Sequence, residues 1–252
     1  MRRDADPATT GTVLILGAMS DIGRSIAHTY GKAGWSLVLA ARHPSRLDQD
    51  AADLHLRYGV AVVTVAFDVT DTRSHKTFMD HMVGLPETVI CVVGLLGMQA
   101  DAARNWPDAE RILLTNYVGP VSILGEVANR MEARGHGCLI GISSVAGDRG
   151  RASNYLYGSA KAGLSAFLSG LRNRLDGVGV RVITVKPGFV ETAMTRGMPL
   201  PKLLTAQPEE VAQAIFSAQL RGRDVIYVRA VWRVIMLIIR LIPEGIFKRL
   251  PL

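Results

Sequence analysis

Seven short apolar runs recur along the chain, at TVLILG (Thr12 to Gly17), SLVLAA (Ser36 to Ala41), AVVTVAF (Ala61 to Phe67), TVICVVG (Thr88 to Gly94), GCLIGIS (Gly137 to Ser143), RVITVKP (Arg181 to Pro187) and VIYV (Val225 to Val228). Helix-length stretches separate them. Runs that are apolar at consecutive positions bury both faces of a strand, so helices must cover the resulting sheet on each side, and strands alternating with helices pair in parallel. The pattern predicts an α/β fold, a doubly wound parallel sheet of seven strands in a single domain. Ligands of such sheets bind outside the carboxyl ends of the strands. The residues that follow each run are therefore the ones to read for chemistry.

Helix ends follow from local signals. Asp71 opens a predicted helix reaching Met82, and Pro208 with Glu209 and Glu210 forms a first turn whose acids complement the helix dipole. Pro187-Gly188 ends a strand. The stretch 189–207, with Gly197, Pro199 and Pro201, has no strong period and reads as a mobile loop over the site.

Composition narrows the partners. The 252 residues carry a formal charge of +7, with 48% hydrophobic, 20% charged and 6% aromatic residues. That hydrophobic share supports a full core and argues against disorder. The positive charge invites a nucleic-acid reading, but few aromatic platforms accompany it, so no nucleic-acid partner is expected. Cys91 and Cys138 sit in apolar runs as small hydrophobes, and without a Cys-His cluster neither a disulfide framework nor a metal site is expected. The histidines and methionines, such as His75, Met98 and Met194, have no ligand spacing. The start MRRDADPATT lacks the apolar core of a signal peptide, which points to a cytoplasmic protein.

The stretch LILGAMSDIGRSIA, Leu14 to Ala27, reads as a strand, a tight turn and a helix. Such a turn aims backbone N–H groups and a helix N-terminus at a diphosphate. Gly17 and Gly23 supply the turn and the close helix-to-strand contact, with Ser20, Asp21 and Ile22 between them. Asp21 stands where a further glycine is usual. An acid just before a helix can cap its free N–H groups, so its carboxylate is expected to face away from the phosphates. Asp68 and Val69 follow the third run, where a carboxylate can accept a hydrogen bond from an adenine amino group. Arg42 ends the second run, where ribose discrimination takes place; with Arg46 it favours the 2′-phosphate of NADP(H), NAD(H) remaining possible. The alternative is that Arg42 is only a solvated strand-end residue.

The strongest chemical signal lies in SSVAGDRGRASNYLYGSAK, at Ser144, Tyr157 and Lys161. Lys161 is one helical turn after Tyr157, so their side chains share a face, and an ammonium beside a phenol is expected to lower its pKa. Ser144 can hydrogen-bond the same substrate oxygen. Tyr155 is the weaker candidate, because the residue one turn on is Ser159. Strand alternation says only that either Ser143 or Ser144 points into the site.

With these residues in order, the chain resembles the short-chain dehydrogenases/reductases from about Thr12 to Val228. The matching positions are Gly17 to Gly23, Asp68, Asn116 in TNYVG, Ser144, Tyr157, Lys161, and Pro187-Gly188 followed by Thr192. The resemblance implies a Rossmann-like domain over 1–229, NAD(P)H-dependent ketone reduction, and Asn116, Ser144, Tyr157 and Lys161 as catalytic residues. It also implies cofactor contacts from Gly94, Pro187, Gly188, Val190 and Thr192 besides the residues of the first turn, with Tyr157 and Lys161 reaching the nicotinamide side. The usual Asn-Asn-Ala-Gly is replaced by VVGLLG, Val92 to Gly97, so adenine-side contacts fall to backbone or to Gly94.

Within the family, the first turn, the GLLG stretch, Thr115-Asn116-Tyr117 and the ending RLIPEGIFKRLPL resemble the decaprenylphosphoryl-2-keto-erythro-pentose reductases. That resemblance implies a lipid-linked keto substrate and an oxidase partner that performs the first half of an epimerisation. The stretch 230–252 is a basic, apolar tail. Its unbroken apolar run is only Val234 to Ile239, between Arg233 and Arg240, too short to span a bilayer. From Arg221 to Leu252 there are seven basic and two acidic residues, which suits contact with the inner face of the cytoplasmic membrane or a wall for a hydrophobic substrate. The competing expectation is a homo-oligomer interface or packing on the chain's own core.

Overall fold

The computed structural model describes residues 11–250; the segment MRRDADPATT and the last two residues lie outside the described residues. In chain order the elements are β1 (Thr12–Leu16), α1 (Asp21–Lys32), β2 (Ser36–Ala41), α2 (Asp48–Tyr58), β3 (Val62–Ala66), α3 (His75–Asp80), β4 (Thr88–Cys91) and α4 (Gln99–Ala102). They continue with α5 (Trp106–Leu113), α6 (Gly119–Arg134), β5 (Gly137–Ile142), α7 (Tyr155–Leu175), β6 (Val180–Pro187), β7 (Phe189–Val190) and β8 (Thr205–Ala206). Last come α8 (Pro208–Leu220), β9 (Val225–Val228), α9 (Val231–Leu241) and α10 (Glu244–Phe247).

All seven expected strands join one parallel sheet, in the order β3-β2-β1-β4-β5-β6-β9. The reason is visible along β1. Val13 and Ile15 point into one core with Ile26 and Tyr30 of α1 and Ile215 of α8; Leu14 and Leu16 point into the other with Ile123 and Val127 of α6 and Leu168 of α7. All four β1 side chains are fully buried. Each such burial is worth roughly 1.5–3 kcal/mol, so a polar residue at any of them would oppose the fold strongly. The strand order reverses between β1 and β4, which opens the crevice where a ligand can enter.

Two local expectations change. The helix expected from Asp71 to Met82 forms only over His75–Asp80. Upstream, the Asp68 carboxylate accepts hydrogen bonds from Thr70 N at 2.9 Å and Thr70 Oγ1 at 2.7 Å, and Ser74 Oγ donates to Asp71 O. These side chains offer the backbone a turn in place of a helix. The stretch after β6, expected as a loose loop, is pinned instead. Phe189–Val190 pairs with Thr205–Ala206, and Thr195 Oγ1 donates to Val190 O at 2.6 Å.

The tail packs by one side. Trp232 and Met236 are buried with Val145 against Phe189, Leu204 and Tyr227, and Trp232 Nε1 donates to Leu204 O at 3.0 Å. A Cβ at Gly188 would lie 1.9 Å from Trp232 Nε1. The turn after β6 is therefore shaped to receive that indole.

Candidate active site

β5 ends at Ile142 and delivers Ser143 and Ser144 to the carboxyl edge of the sheet. The choice between them is settled by their partners. Ser143 Oγ donates to Lys161 O at 2.9 Å and pairs with Ser165 Oγ at 2.7 Å, so it fastens β5 to α7. Ser144 Oγ accepts from Ala146 N at 3.1 Å and also acts on the Tyr157 hydroxyl. Tyr155 is exposed on the first turn of α7, whereas Tyr157 is half-buried and packs against the cluster of Ala102, Ala109 and Ile112.

Lys161 is 2% exposed. Its Nζ donates to Ile142 O at 3.0 Å and sits 5.7 Å from the Tyr157 ring centroid. Among the described residues no carboxylate lies within ion-pair distance of it. Burial pulls its pKa down to about 8, against a weaker opposing influence of Cys91. The expected lowering of the Tyr157 pKa is not what the structure holds: burial pushes that phenol up to about 12, and the hydrogen bond with Ser144 opposes this only in part. Desolvation acts on both groups at once. It keeps the phenol protonated while making the ammonium easier to discharge.

Asn116 is buried in a widened turn over Leu114–Val118, where Gly119 N bonds Leu114 O five residues back. Its Nδ2 donates to Ile112 O at 2.8 Å and Leu95 O at 2.7 Å, while its Oδ1 accepts from Leu95 N at 3.2 Å. The amide thus locks the chain after β4 to the helix that follows. Such π-turns frequently mark functional positions. A signal for it stands in the sequence, since Pro120 would crowd the carbonyl four residues earlier in a regular helix.

The first turn keeps close contacts. Gly17 has φ +95°, and a Cβ at Gly23 would lie 2.6 Å from Gly17 O. Ser20, not Asp21, caps α1: its Oγ accepts from Gly23 N at 3.0 Å and donates to Gly17 O at 2.9 Å. Asp21 is the first helical residue, and its carboxylate accepts from Ala193 N at 2.7 Å, 172 residues away. The expectation that it caps its own helix is therefore corrected. With the cap taken by Ser20, the Asp21 side chain is free to hold the segment after β7. Ile22 packs on the core beneath.

Gly94 also moves from its expected place. A Cβ there would be 3.4 Å from Asn116 Oδ1, 3.6 Å from Met194 Cε and 3.8 Å from Lys161 Nζ. It lies beside Asn116 and Lys161, because the chain after β4 runs over Asn116. The adenine-side candidates lie on other strands. Asp68 is held below the usual carboxylate range: burial acts to raise it, but the Thr70 hydrogen bonds and the charges of Arg42 and His75 prevail. Val69 is buried, and its carbonyl oxygen would be 2.1 Å from a Cβ at Gly119, so that glycine is required there. Arg42 is exposed at the end of β2 and has no ion-pair partner among the described residues.

Pro187, Gly188, Val190 and Thr192 lead from β6 to a turn over Ala193–Thr195, with Thr192 N donating to Thr195 Oγ1 at 3.1 Å. Asp21, Thr192, Ala193 and Thr195 line a cleft of about 670 Å³ with Gln207 and Arg229, among others. Met194 points the other way, toward Gly94. The turn thus directs Met194 toward Gly94 and presents Thr192, Ala193 and Thr195 to the cleft. Nothing in the sequence marked Met194 or the Asp21 contact, because both depend on pairing distant segments.

The arrangement brings a half-buried phenol, a serine hydroxyl and a buried lysine without a carboxylate partner into one corner, beside a glycine turn that admits a close backbone approach. A model of the short chain dehydrogenase family matches residues 11–201. The chain belongs to the short-chain dehydrogenase family. An oxidoreductase of Mycobacterium tuberculosis, itself uncharacterised, is 39% identical over 249 residues, covering 98% of this chain and 99% of the relative. A short-chain dehydrogenase from Sphingobium yanoikuyae in complex with NADPH is 26% identical, with a TM-score of 0.79 over 95% of this chain and 96% of that one. One from Burkholderia cenocepacia in complex with NADP shares the fold, with a TM-score of 0.82 at 21% identity over 96% and 98% of the two chains. This short-chain dehydrogenase is accordingly an enzyme, an oxidoreductase of the nicotinamide-dependent kind.

Proposed function

We propose that the protein is an NADP(H)-dependent reductase of a hydrophobic ketone, with Tyr157, Lys161, Ser144 and Asn116 as its working residues. The observation that carries the reading is Lys161: a buried ammonium without a carboxylate partner, beside a phenol and a serine hydroxyl. An unpaired buried cation costs the fold free energy, so its presence points to a use. The glycine turn, with no room for a Cβ at Gly23, fits a diphosphate backbone, and the unpaired Arg42 fits a 2′-phosphate. NADPH supplies the hydride when bound.

The rest falls to the chain. Ser144 Oγ donates a hydrogen bond to the carbonyl oxygen, and Tyr157 gives that oxygen its proton as negative charge develops there. A phenol held near 12 stays protonated at neutral pH, which suits the acid role. Lys161, near 8, would return a proton to Tyr157. Asn116 fixes the chain after β4 against this corner and supports the proton path.

For the substrate we put forward a polyprenylphosphoryl 2-keto-pentose, supported by the resemblance of the first turn and of the ending RLIPEGIFKRLPL and by the apolar surface around the site. An oxidase would then generate the ketone, as the first half of an epimerisation. The test is cofactor oxidation by purified protein offered that substrate or a soluble hydrophobic ketone, acyl or steroid-like, with NADPH or NADH. Turnover of the soluble ketone alone would refute the lipid-linked assignment. No turnover of either, with cellular function surviving Tyr157→Phe, would favour a silent cofactor-binding module that recruits a partner.

A further inference from the structure

The two sides of α9 differ sharply. Its inner side, Trp232 and Met236, is buried, and the tail beyond is clamped: Arg149 donates to Arg240 O at 3.1 Å and Ile242 O at 3.0 Å, pairs with Glu244 at 2.6 Å and stacks over the Phe247 ring. The outer side presents Val234, Leu237, Ile238 and Leu241 at 58%, 57%, 58% and 73% exposure. Those four are spaced i, i+3, i+4 and i+7, so they form one continuous stripe. Ile246, in α10, is exposed as well. The helix carries apolar side chains around most of its circumference. In the structure they divide between the core and water.

Charge selects among occupants of the stripe. Arg233 and Arg240, seven residues apart, run along one edge, and Lys248 and Arg249 follow beyond α10; all four are exposed and none has an ion-pair partner among the described residues. The tail's only acid after Asp224, Glu244, is taken by Arg149. A second copy docking symmetrically would bring the same cations against each other. An anionic surface would not. The helix has 11 residues, and no helix of the described residues is long and apolar enough to cross a membrane. The stripe can enter a headgroup layer and go no deeper.

We propose that α9 and α10 form a docking platform for an anionic lipid bilayer, the apolar stripe seated among the acyl boundary and the four cations over the headgroups. The platform is rigid because its inner side is part of the protein core. Trp232 joins it to Leu204 and Gly188, so the platform adjoins the segment that lines the cleft, next to which Leu203 is exposed. Docking then holds the segment that lines the cleft close to the bilayer surface. The inference rests on the surface alone and stands whatever the substrate is.

The test is flotation of the full chain with vesicles of phosphatidylcholine alone or mixed with phosphatidylglycerol, without substrate. Binding to the mixed vesicles only, weakened by salt, is expected. Each cation near an anionic surface contributes about fivefold, so Arg233→Glu with Arg240→Glu should weaken binding by at least ~25-fold. Leu237→Gln with Ile238→Gln should also abolish flotation. Both pairs change exposed side chains, so the melting temperature should be unaltered. Equal binding to neutral vesicles, no flotation with either, or a dimer that dissociates in Leu237→Gln/Ile238→Gln without vesicle binding would overturn the proposal.

Discussion

Lys161→Met should make the protein more stable and inactive. The side chains are similar in length, so the change removes a charge with little loss of packing. Burial lowers the Lys161 pKa from 10.5 to about 8, and each unit corresponds to about 1.4 kcal/mol, so the charged lysine destabilises the fold by about 3 kcal/mol at pH 7. Against this, Ile142 O loses its Nζ hydrogen bond, worth about 1 kcal/mol. The net gain of about 2 kcal/mol should raise the melting temperature by roughly 4–8 °C for a chain of this size. Its pH signature is specific. Between about 8 and 10.5 the unfolded chain binds the lysine proton and the folded one does not, so wild-type stability rises with pH relative to the variant, and the variant's advantage fades. Tyr157, Cys91 and Cys138, all raised by burial, pull the other way at higher pH, but both proteins contain them. Calorimetry of the cofactor-free pair at pH 7, 8 and 9 measures the difference. An advantage that is absent at pH 7, or the same at pH 9, would refute the reasoning.

Arg42→Asp should raise the Kd for NADPH by about 10–100-fold while sparing NADH, since a charged hydrogen bond is worth about 1.5–3 kcal/mol; fluorescence titration of both cofactors reads the split, and equal losses would remove Arg42 from the 2′-phosphate. Asp21→Asn keeps an acceptor for Ala193 N but removes a negative charge from the turn proposed to hold the diphosphate. NADPH should bind about fivefold tighter, matching about 1 kcal/mol for one exposed like charge, and unchanged affinity would show that Asp21 is only a strap. Gly188→Ala drives a Cβ into the Trp232 indole, so a loss of about 1–3 kcal/mol and a changed near-ultraviolet signal are expected. An unchanged melting curve would show that α9 yields freely.

The parts of the fold that were legible are those written in consecutive residues. Val13, Leu14, Ile15 and Leu16 bury both faces of one strand, and that alone dictates a covered parallel sheet. Tyr157 and Lys161 were legible for a similar reason, being one helical turn apart. What escaped depends on segments that meet only in three dimensions. Asp68 reads as a residue before a helix until its carboxylate bonds Thr70 and makes a turn instead. Asp21 reads as a helix cap until Ser20 takes that role and leaves it to hold Ala193. The sign of the Tyr157 shift was lost in the same way: spacing places a cation nearby, but only the packed structure shows that burial raises the phenol and that the Ser144 hydrogen bond opposes this only in part. Local pattern can therefore identify which groups meet, whereas their protonation depends on how much water the surrounding segments leave. Lys161 is informative for that reason, since its cost to the fold and its proposed use in the reaction have one physical source, its burial between β5, α7 and the chain after β4.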